Sequence, residues 1–163
     1  MTATSVRAYV AFGANLGEPR AALLSAIEAL SALPETRVVS HSSCYRTAPL
    51  GVEGEQPDYT NAVIAIDTTL APRPLLEALL AIEHAGGRTR DYHQAPRTMD
   101  LDLLMHGDSI VEEPGLILPH PRMHLRAFVL HPLAEIAPDA SVPGIGPVAA
   151  LLPGVGDQQI SLL

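Results

Sequence analysis

The chain has 163 residues, 47% hydrophobic and 17% charged, which predicts one soluble folded domain. Its formal net charge of −8 argues against sequence-independent nucleic-acid binding, which needs a basic surface. All ten basic residues other than His are Arg, so lysine-dependent phosphate loops and Schiff-base chemistry are excluded. With one cysteine, no leader-like N-terminus and no apolar run of about 20 residues, we expect a cytoplasmic protein that does not bind a membrane.

The hydrophobic pattern predicts alternating strands and helices. In chain order these are a strand over 7–12, a helix from Pro19 that Pro34 ends, strands over 36–47 and 59–69, a helix over 74–85 and a strand over 99–106. The stretches 48–57 and 88–98 are predicted loops. The order β-α-β-β-α-β predicts an α+β, ferredoxin-like split sandwich, in which helices cover one side of an antiparallel sheet. C-terminal additions follow residue 107: a short hairpin, a helix near 124–136 and turns.

Two aspartates, Asp100 and Asp102, lie two residues apart on the last predicted strand. Residues at this spacing project from the same face of a strand, whereas Leu101 and Leu103 face the other way. Adjacent carboxylates repel each other unless a cation lies between them, and Mg²⁺ commonly takes one or two carboxylates together with substrate phosphates. The alternative is a solvated face on an edge strand.

Three arginines, Arg88, Arg90 and Arg97, immediately precede the aspartates. Guanidinium groups bind phosphate oxygens in bidentate fashion, so this loop beside a candidate Mg²⁺ pair suggests phosphoryl transfer. The alternative is a solvated basic loop that pairs with nearby acids such as Asp91.

A third cluster of polar and aromatic residues flanks the predicted loop at 48–57. Tyr45 and Thr47 precede this loop, and Tyr59 and Asn61 follow it. An aromatic ring and an amide could stack on a flat heterocycle and bind its edge. The alternative is that these residues are strand-end and turn-forming residues at the edge of the core.

The sequence resembles the 6-hydroxymethyl-7,8-dihydropterin pyrophosphokinase family of folate biosynthesis. The resemblance covers about residues 7–140 of a single domain expected over 1–163, and its motifs occur in the family's order. The Pro96-Arg97-Thr98-Met99-Asp100-Leu101-Asp102 run is the most specific. The other matching stretches are residues 11–17, 45–51, 58–62, 87–90, 118–122 and 126–130.

The resemblance implies that ATP donates its β,γ-diphosphoryl group to the pterin's hydroxymethyl oxygen and that AMP leaves. Two Mg²⁺ ions would be held by Asp100 and Asp102. The implied ATP-binding residues are Glu83, Arg88, Arg90, Arg97, Leu103, His120 and Arg126, of which the three loop arginines would be catalytic. The implied pterin-binding residues are Thr47, Ala48, Pro49, Leu50, Tyr59, Asn61 and Phe128. The expected partners are these two small molecules, and the chain is expected to be a monomer.

Four positions depart from the commoner family pattern: Ala14, Ala48, Leu80 and Gln94. They leave the details of loop closure and stacking open, and no general base is identified. Two other function classes also remain open. One is a Mg²⁺-dependent phosphohydrolase that uses the same aspartates without an acceptor, and the other is a non-catalytic split-βαβ module.

Overall fold

The computed structural model describes residues 5–14, 19–47, 59–87, 99–158 and 160–162. In chain order its strands and α-helices are β1 (Val6–Ala14), α1 (Pro19–Ser31), β2 (Thr36–His41), β3 (Tyr45–Thr47), β4 (Tyr59–Thr68), α2 (Pro72–Gly87), β5 (Asp100–His106), β6 (Val111–Glu113), β7 (Leu116–Leu118), α3 (Ala127–Ile136), β8 (Ser141–Val142), β9 (Gly146–Pro147), α4 (Val148–Leu151) and β10 (Ser161–Leu162). Short 3₁₀ helices span Met123–Leu125 and Leu152–Val155. No helix within the described ranges is long and apolar enough to cross a membrane.

The main sheet is antiparallel, and β1 lies between β4 and β5. The long strand β4 pairs along its other edge with β3 at one end and with β2 at the other. The strand β10 extends the sheet beyond β3. This order, with the first strand between the third and the fourth of the β-α-β-β-α-β repeat, is the split-sandwich topology that the sequence predicts.

Both faces of the sheet are covered, which goes beyond the predicted single helical layer. On one side α1 and α2 form a core with the sheet, in which Phe12, Leu30 and Leu79 are at most 1% exposed. On the opposite side α3 and the C-terminal segments pack on Val63 and Leu104. Seven consecutive residues of β4 are buried, from Thr60 to Ile66, as expected for a strand with a protein layer on each face.

The predicted strand over 36–47 is wrong in one respect, because the chain forms two strands there. Ser42 interrupts the ladder between β2 and β3: its backbone N–H donates to the Val63 carbonyl oxygen, and its hydroxyl accepts from the Val63 N–H, both at 2.9 Å. A hydroxyl thus replaces a backbone partner and allows the chain to shift register. The predicted C-terminal hairpin and helix are confirmed as β6–β7 and α3.

Candidate functional site

A pocket of about 510 Å³ opens between α2, β5 and the β6–β7 hairpin. We call it the aspartate pocket. It brings together five residues that the sequence assigns to nucleotide or metal binding: Glu83, Asp100, Asp102, Leu103 and His120. The rest of its lining is Leu76, Leu80, Leu101, Gly115, Leu116, Ile117 and Pro121, which the sequence did not predict as site residues. Acidic groups therefore share one pocket with an apolar wall.

The aspartate pair has the geometry that its spacing predicts. Asp102 is exposed and Asp100 is half-buried, whereas Leu101 is only 2% exposed and belongs to the core under α1 and α2. Leu103 lines the pocket, but its side chain is also part of that core. Among the described residues, no group of three or more His, Cys, Asp or Glu side chains could hold a metal ion. Two carboxylates with oxygen donors only fit Mg²⁺, provided that substrate oxygens complete its coordination shell.

Glu83 of α2 fixes the backbone between the two aspartates. Its side chain is 8% exposed, and its Oε2 accepts a hydrogen bond from the Leu101 backbone N–H at 2.7 Å. A buried carboxylate that accepts from a backbone amide makes a strong, charge-assisted hydrogen bond. The side chain therefore joins α2 to β5 at the point where both aspartates project.

His120 presents a hydrogen-bond donor to the aspartate pocket. Burial is the main cause that lowers its pKa, opposed by the charge of Asp102 and reinforced by the charges of two nearby arginines, Arg126 and Arg122. Its Nδ1 accepts from the Arg122 backbone N–H at 3.1 Å. A neutral imidazole whose Nδ1 accepts carries its proton on Nε2. The ring is therefore suited to donate to an anionic group.

Arg126 and Phe128 lie at the start of α3. The Arg126 guanidinium carbon lies 5.3 Å from the centroid of the Phe128 ring, a cation–π contact. Gln158 hydrogen-bonds to the backbone on either side of Arg126: its Oε1 accepts from the Ala127 N–H, and its Nε2 donates to the Leu125 carbonyl oxygen, both at 2.8 Å. Since Arg126, the N-cap residue, makes no side-chain cap, Gln158 supplies that cap from the C-terminal segment.

The Asn61 cluster comprises Thr47, Tyr59 and Asn61, three of the residues that the resemblance assigns to the pterin. The Asn61 Nδ2 donates to the Thr47 hydroxyl at 2.9 Å, and Asn61 is 6% exposed. Thr47 faces Tyr59 across the β3–β4 ladder, and Tyr59 is 37% exposed. The Asn61 side-chain amide, whose orientation is fixed by its hydrogen bond to Thr47, thus lies beside the accessible ring of Tyr59.

Strand register places the Asn61 cluster and the aspartate pair on one face of the sheet. Gly13 of β1 is paired with Asn61 on one side and with Asp100 on the other. Directly paired residues of antiparallel strands project from the same face. Because neighbouring strands lie about 4.8 Å apart, the Asn61 and Asp100 backbones are about 10 Å apart.

Glu135 of α3 hydrogen-bonds to the start of β3, the strand that carries Thr47. The sequence did not predict this role. Its carboxylate accepts from the Ser43 backbone N–H and hydroxyl at 2.9–3.1 Å and from the Tyr45 hydroxyl at 2.6 Å. Burial, followed by this hydrogen bond and the charge of Glu135, raises the pKa of Tyr45 to about 12. The contact joins residues 90 or more positions apart, so no local pattern indicates it.

Several predicted site residues lie outside the described residues. These are Arg88, Arg90, Arg97, Ala48, Pro49 and Leu50, together with the departing position Gln94. Of the other departures, Ala14 is buried in the core, and Leu80 is 53% exposed on the wall of the aspartate pocket.

Comparison with known proteins identifies one enzyme family. The model of the 7,8-dihydro-6-hydroxymethylpterin-pyrophosphokinase family matches residues 9–138. Among curated proteins, a 2-amino-4-hydroxy-6-hydroxymethyldihydropteridine pyrophosphokinase of Pseudomonas aeruginosa is 50% identical over 137 residues, 84% of each chain. The Haemophilus influenzae protein of the same name is 41% identical over 155 residues, 95% of this chain and 96% of its own.

Solved structures show the same fold at low sequence identity. Plasmodium falciparum HPPK-DHPS, solved with pteroate, is similar with a TM-score of 0.72 at 11% identity over 94% of this chain. This chain covers 43% of that protein and so spans less than half of its length. On the strength of the family match and the two bacterial relatives, the chain belongs to the 7,8-dihydro-6-hydroxymethylpterin pyrophosphokinase family.

Proposed function

We propose that this chain transfers the β,γ-diphosphoryl group of ATP to the hydroxymethyl group of 6-hydroxymethyl-7,8-dihydropterin. The hydroxymethyl oxygen forms a bond to the β-phosphorus, the bond from that phosphorus to the oxygen bridging the α-phosphate breaks, AMP leaves and the hydroxyl proton is released. The observation that carries this proposal is the row Asn61–Gly13–Asp100, which puts an amide for a heterocycle and a carboxylate for a metal on one face.

On the nucleotide side, the aspartate pocket offers both of the surfaces that ATP needs. Leu80 and Ile117 are about half exposed on its wall and can pack on a purine base. Asp100 and Asp102 would hold Mg²⁺, which when bound supplies charge neutralisation and alignment of the phosphates. Transfer of a diphosphoryl group through a loose transition state requires mainly this positioning, so a chain without lysine can support it.

Cationic and hydrogen-bonding groups surround the place where the phosphates would lie. His120 would donate from Nε2 to a phosphate oxygen, since its Nδ1 accepts from Arg122, and the charge of Arg126 acts on that ring. Arg88, Arg90 and Arg97 adjoin the metal pair in sequence, and we propose that they bind phosphate oxygens. Arg126, just before α3, and Mg²⁺ held by the aspartates of β5 would together neutralise the charge of the polyphosphate.

On the pterin side, the Asn61 cluster offers an amide edge beside an aromatic ring. With its Nδ2 committed to Thr47, Asn61 retains its Oδ1 to accept from the edge of a pterin. Tyr59 and Phe128 are the two rings between which the pterin would stack, and each is accessible enough to be reached. A phosphohydrolase would have no need of these groups, so the acceptor-dependent reaction is favoured.

Residues for both substrates lie on one chain, so we infer that a monomer in the cytoplasm, where both metabolites are available, is the working unit. Size-exclusion chromatography with light scattering at assay concentration measures this directly. A mass near 17.2 kDa is expected, and activity confined to a larger species would contradict it.

The deciding experiment measures the products from ATP with and without the pterin and Mg²⁺. AMP and the pterin diphosphate should form in equal amounts, and only when both are present. ADP as the product would contradict the proposal, and phosphate release without pterin would instead support a hydrolase.

A further inference from the structure

Gly13 occupies an unusual place for a glycine, in a central strand of the main sheet. It is bonded into the ladder on both sides, opposite Asn61 of β4 and Asp100 of β5. Glycine in the interior of a strand weakens it, because its backbone loses more freedom on folding and no side chain packs. Its presence at this position therefore needs a reason.

The usual structural reasons do not apply to Gly13. It is not among the residues with positive φ. The irregularity in the pairing of β1 with β5 lies between Tyr9 and Val10, so no bulge involves Gly13. Crowding is also absent among the described residues, since an added Cβ would meet only the Asn61 Oδ1, at 3.5 Å, which is ordinary van der Waals contact. Neither the fold nor the packing of the described residues requires glycine here.

The remaining reason is the close approach of a bound molecule to the backbone. We propose that Gly13 is a positioning residue whose bare backbone is the floor over which the hydroxymethyl group and the diphosphoryl group meet. This inference rests on the proposed function. It follows from the register, because Gly13 is midway between the Asn61 cluster and the aspartate pair and projects no atom into the space that joins them.

An alanine at Gly13 separates the role in catalysis from any role in stability. Its methyl group would fit the ligand-free protein, and Gly→Ala at a compatible backbone conformation stabilises a protein by restricting the unfolded chain. The same methyl group would occupy the floor between the two substrates. The variant should therefore fold as well as the wild type or better, while the pterin and the diphosphoryl group no longer align.

The test compares Gly13→Ala with the wild type and with Gly154→Ala, a matched control at a surface site where an added Cβ meets nothing within 4 Å. Three quantities are measured: the thermal midpoint, pterin affinity by the ligand's own fluorescence in the presence of a non-hydrolysable ATP analogue and Mg²⁺, and pterin-dependent AMP formation. For Gly13→Ala we expect an unchanged or higher midpoint, pterin affinity lowered about tenfold, and kcat/KM for the pterin lowered about tenfold or more. Gly154→Ala should match the wild type in affinity and turnover, with an unchanged or higher midpoint.

Two results would overturn the inference. One is a Gly13→Ala protein with wild-type pterin affinity and turnover, and the other is a clear drop in its thermal midpoint, which would show that packing requires the glycine. A wild-type protein that makes no AMP with pterin would instead overturn the proposed function, so the two failures are distinguishable.

Discussion

The aspartate pocket and the Asn61 cluster are held in place by different kinds of contact. In the aspartate pocket the two carboxylates come from one short strand, and a single buried residue of α2, Glu83, fixes the backbone between them. The Asn61 cluster and Phe128 are stabilised from a distance, because Glu135 binds Ser43 and Tyr45 at the start of β3 and Gln158 caps the helix that carries Phe128.

We call the aspartate pocket the nucleotide half of the site, and the Asn61 cluster with Phe128 the pterin half. The two halves should respond differently to mutation. The nucleotide half carries its chemistry in a local motif on β5, at the edge of the main sheet, where loss of one group should abolish a function. The pterin half depends on several partly exposed hydrogen bonds, each of modest strength. We therefore expect large, specific effects from changes in the first half and smaller, graded effects from changes in the second.

The largest effect is expected for Asp102→Asn. The change keeps the size of the side chain but removes the charge that would hold Mg²⁺, so turnover should fall about 100-fold or more while the thermal midpoint barely changes, because Asp102 is exposed. Steady-state AMP formation measures this. Asp108→Asn, at an exposed aspartate just after β5, is the matched control and should keep full activity. Near-normal turnover of Asp102→Asn would show that the metal pair is wrongly assigned.

A smaller but still large effect is expected for Glu83→Ala. It leaves the Leu101 N–H without its buried acceptor, which costs about 1–3 kcal/mol of unfolding free energy. Nucleotide affinity should fall about tenfold because the backbone under the aspartates is no longer held. Denaturant unfolding and calorimetric titration of an ATP analogue with Mg²⁺ measure the two effects. Unchanged nucleotide affinity would limit Glu83 to a role in stability.

Glu135→Gln should have a graded effect on the pterin half. Loss of the charge weakens the hydrogen bonds from Ser43 and Tyr45, so pterin affinity should fall about threefold to fivefold with nucleotide affinity unchanged. The pKa of Tyr45 should also fall from about 12 but stay above its usual value, because burial, the largest cause, remains. Tyrosinate absorbance during alkaline titration measures it. An equal loss of affinity for nucleotide and pterin would contradict the expected difference between the two halves.

The same carboxylate predicts a pH dependence of stability. Burial alone would raise the pKa of Glu135, but hydrogen bonds from Tyr45 and Ser43 outweigh it and hold the pKa below its ordinary value. A lowered folded-state pKa contributes stability above the unfolded-state value, and this contribution is lost as the pH falls through the folded-state pKa. Unfolding free energies between about pH 6 and pH 3 should therefore fall more steeply for the wild type than for Glu135→Gln. Parallel curves would show that the carboxylate contributes nothing.

The smallest effect is expected for Gln158→Met, which keeps the length of the side chain but removes both hydrogen bonds at the start of α3. Loss of a helix cap costs about 1 kcal/mol, and pterin affinity should fall about twofold as Phe128 becomes less ordered. Thermal melts and pterin fluorescence measure the two effects. Asp157→Ala, at an exposed neighbouring position, should change neither.

The local parts of this site were predictable from the sequence, and the long-range parts were not. The i, i+2 spacing of Asp100 and Asp102 on a strand with buried leucines between and after them determines their common face. The two main helices were likewise predictable from the spacing of their apolar residues. Each of these features depends on neighbours within a few residues.

The features that sequence patterns missed depend on contacts between distant residues. The break at Ser42 depends on Val63, and the cap on α3 comes from Gln158, more than 20 residues away in each case. The second layer over the sheet was missed because a single pattern of buried residues in β4 does not say which element covers each face. The row through Gly13 appears only when strand register is known, since the motifs that contain Gly13, Asn61 and Asp100 are far apart in the chain.

A crystal structure of the wild type with a non-hydrolysable ATP analogue, Mg²⁺ and the pterin tests the central claim most directly. We predict that the hydroxymethyl oxygen and the β-phosphorus face each other above the Gly13 backbone, with the pterin edge at Asn61 and metal ions at Asp100 and Asp102. A pterin bound away from Asn61, or a triphosphate that does not reach the aspartates, would contradict this account.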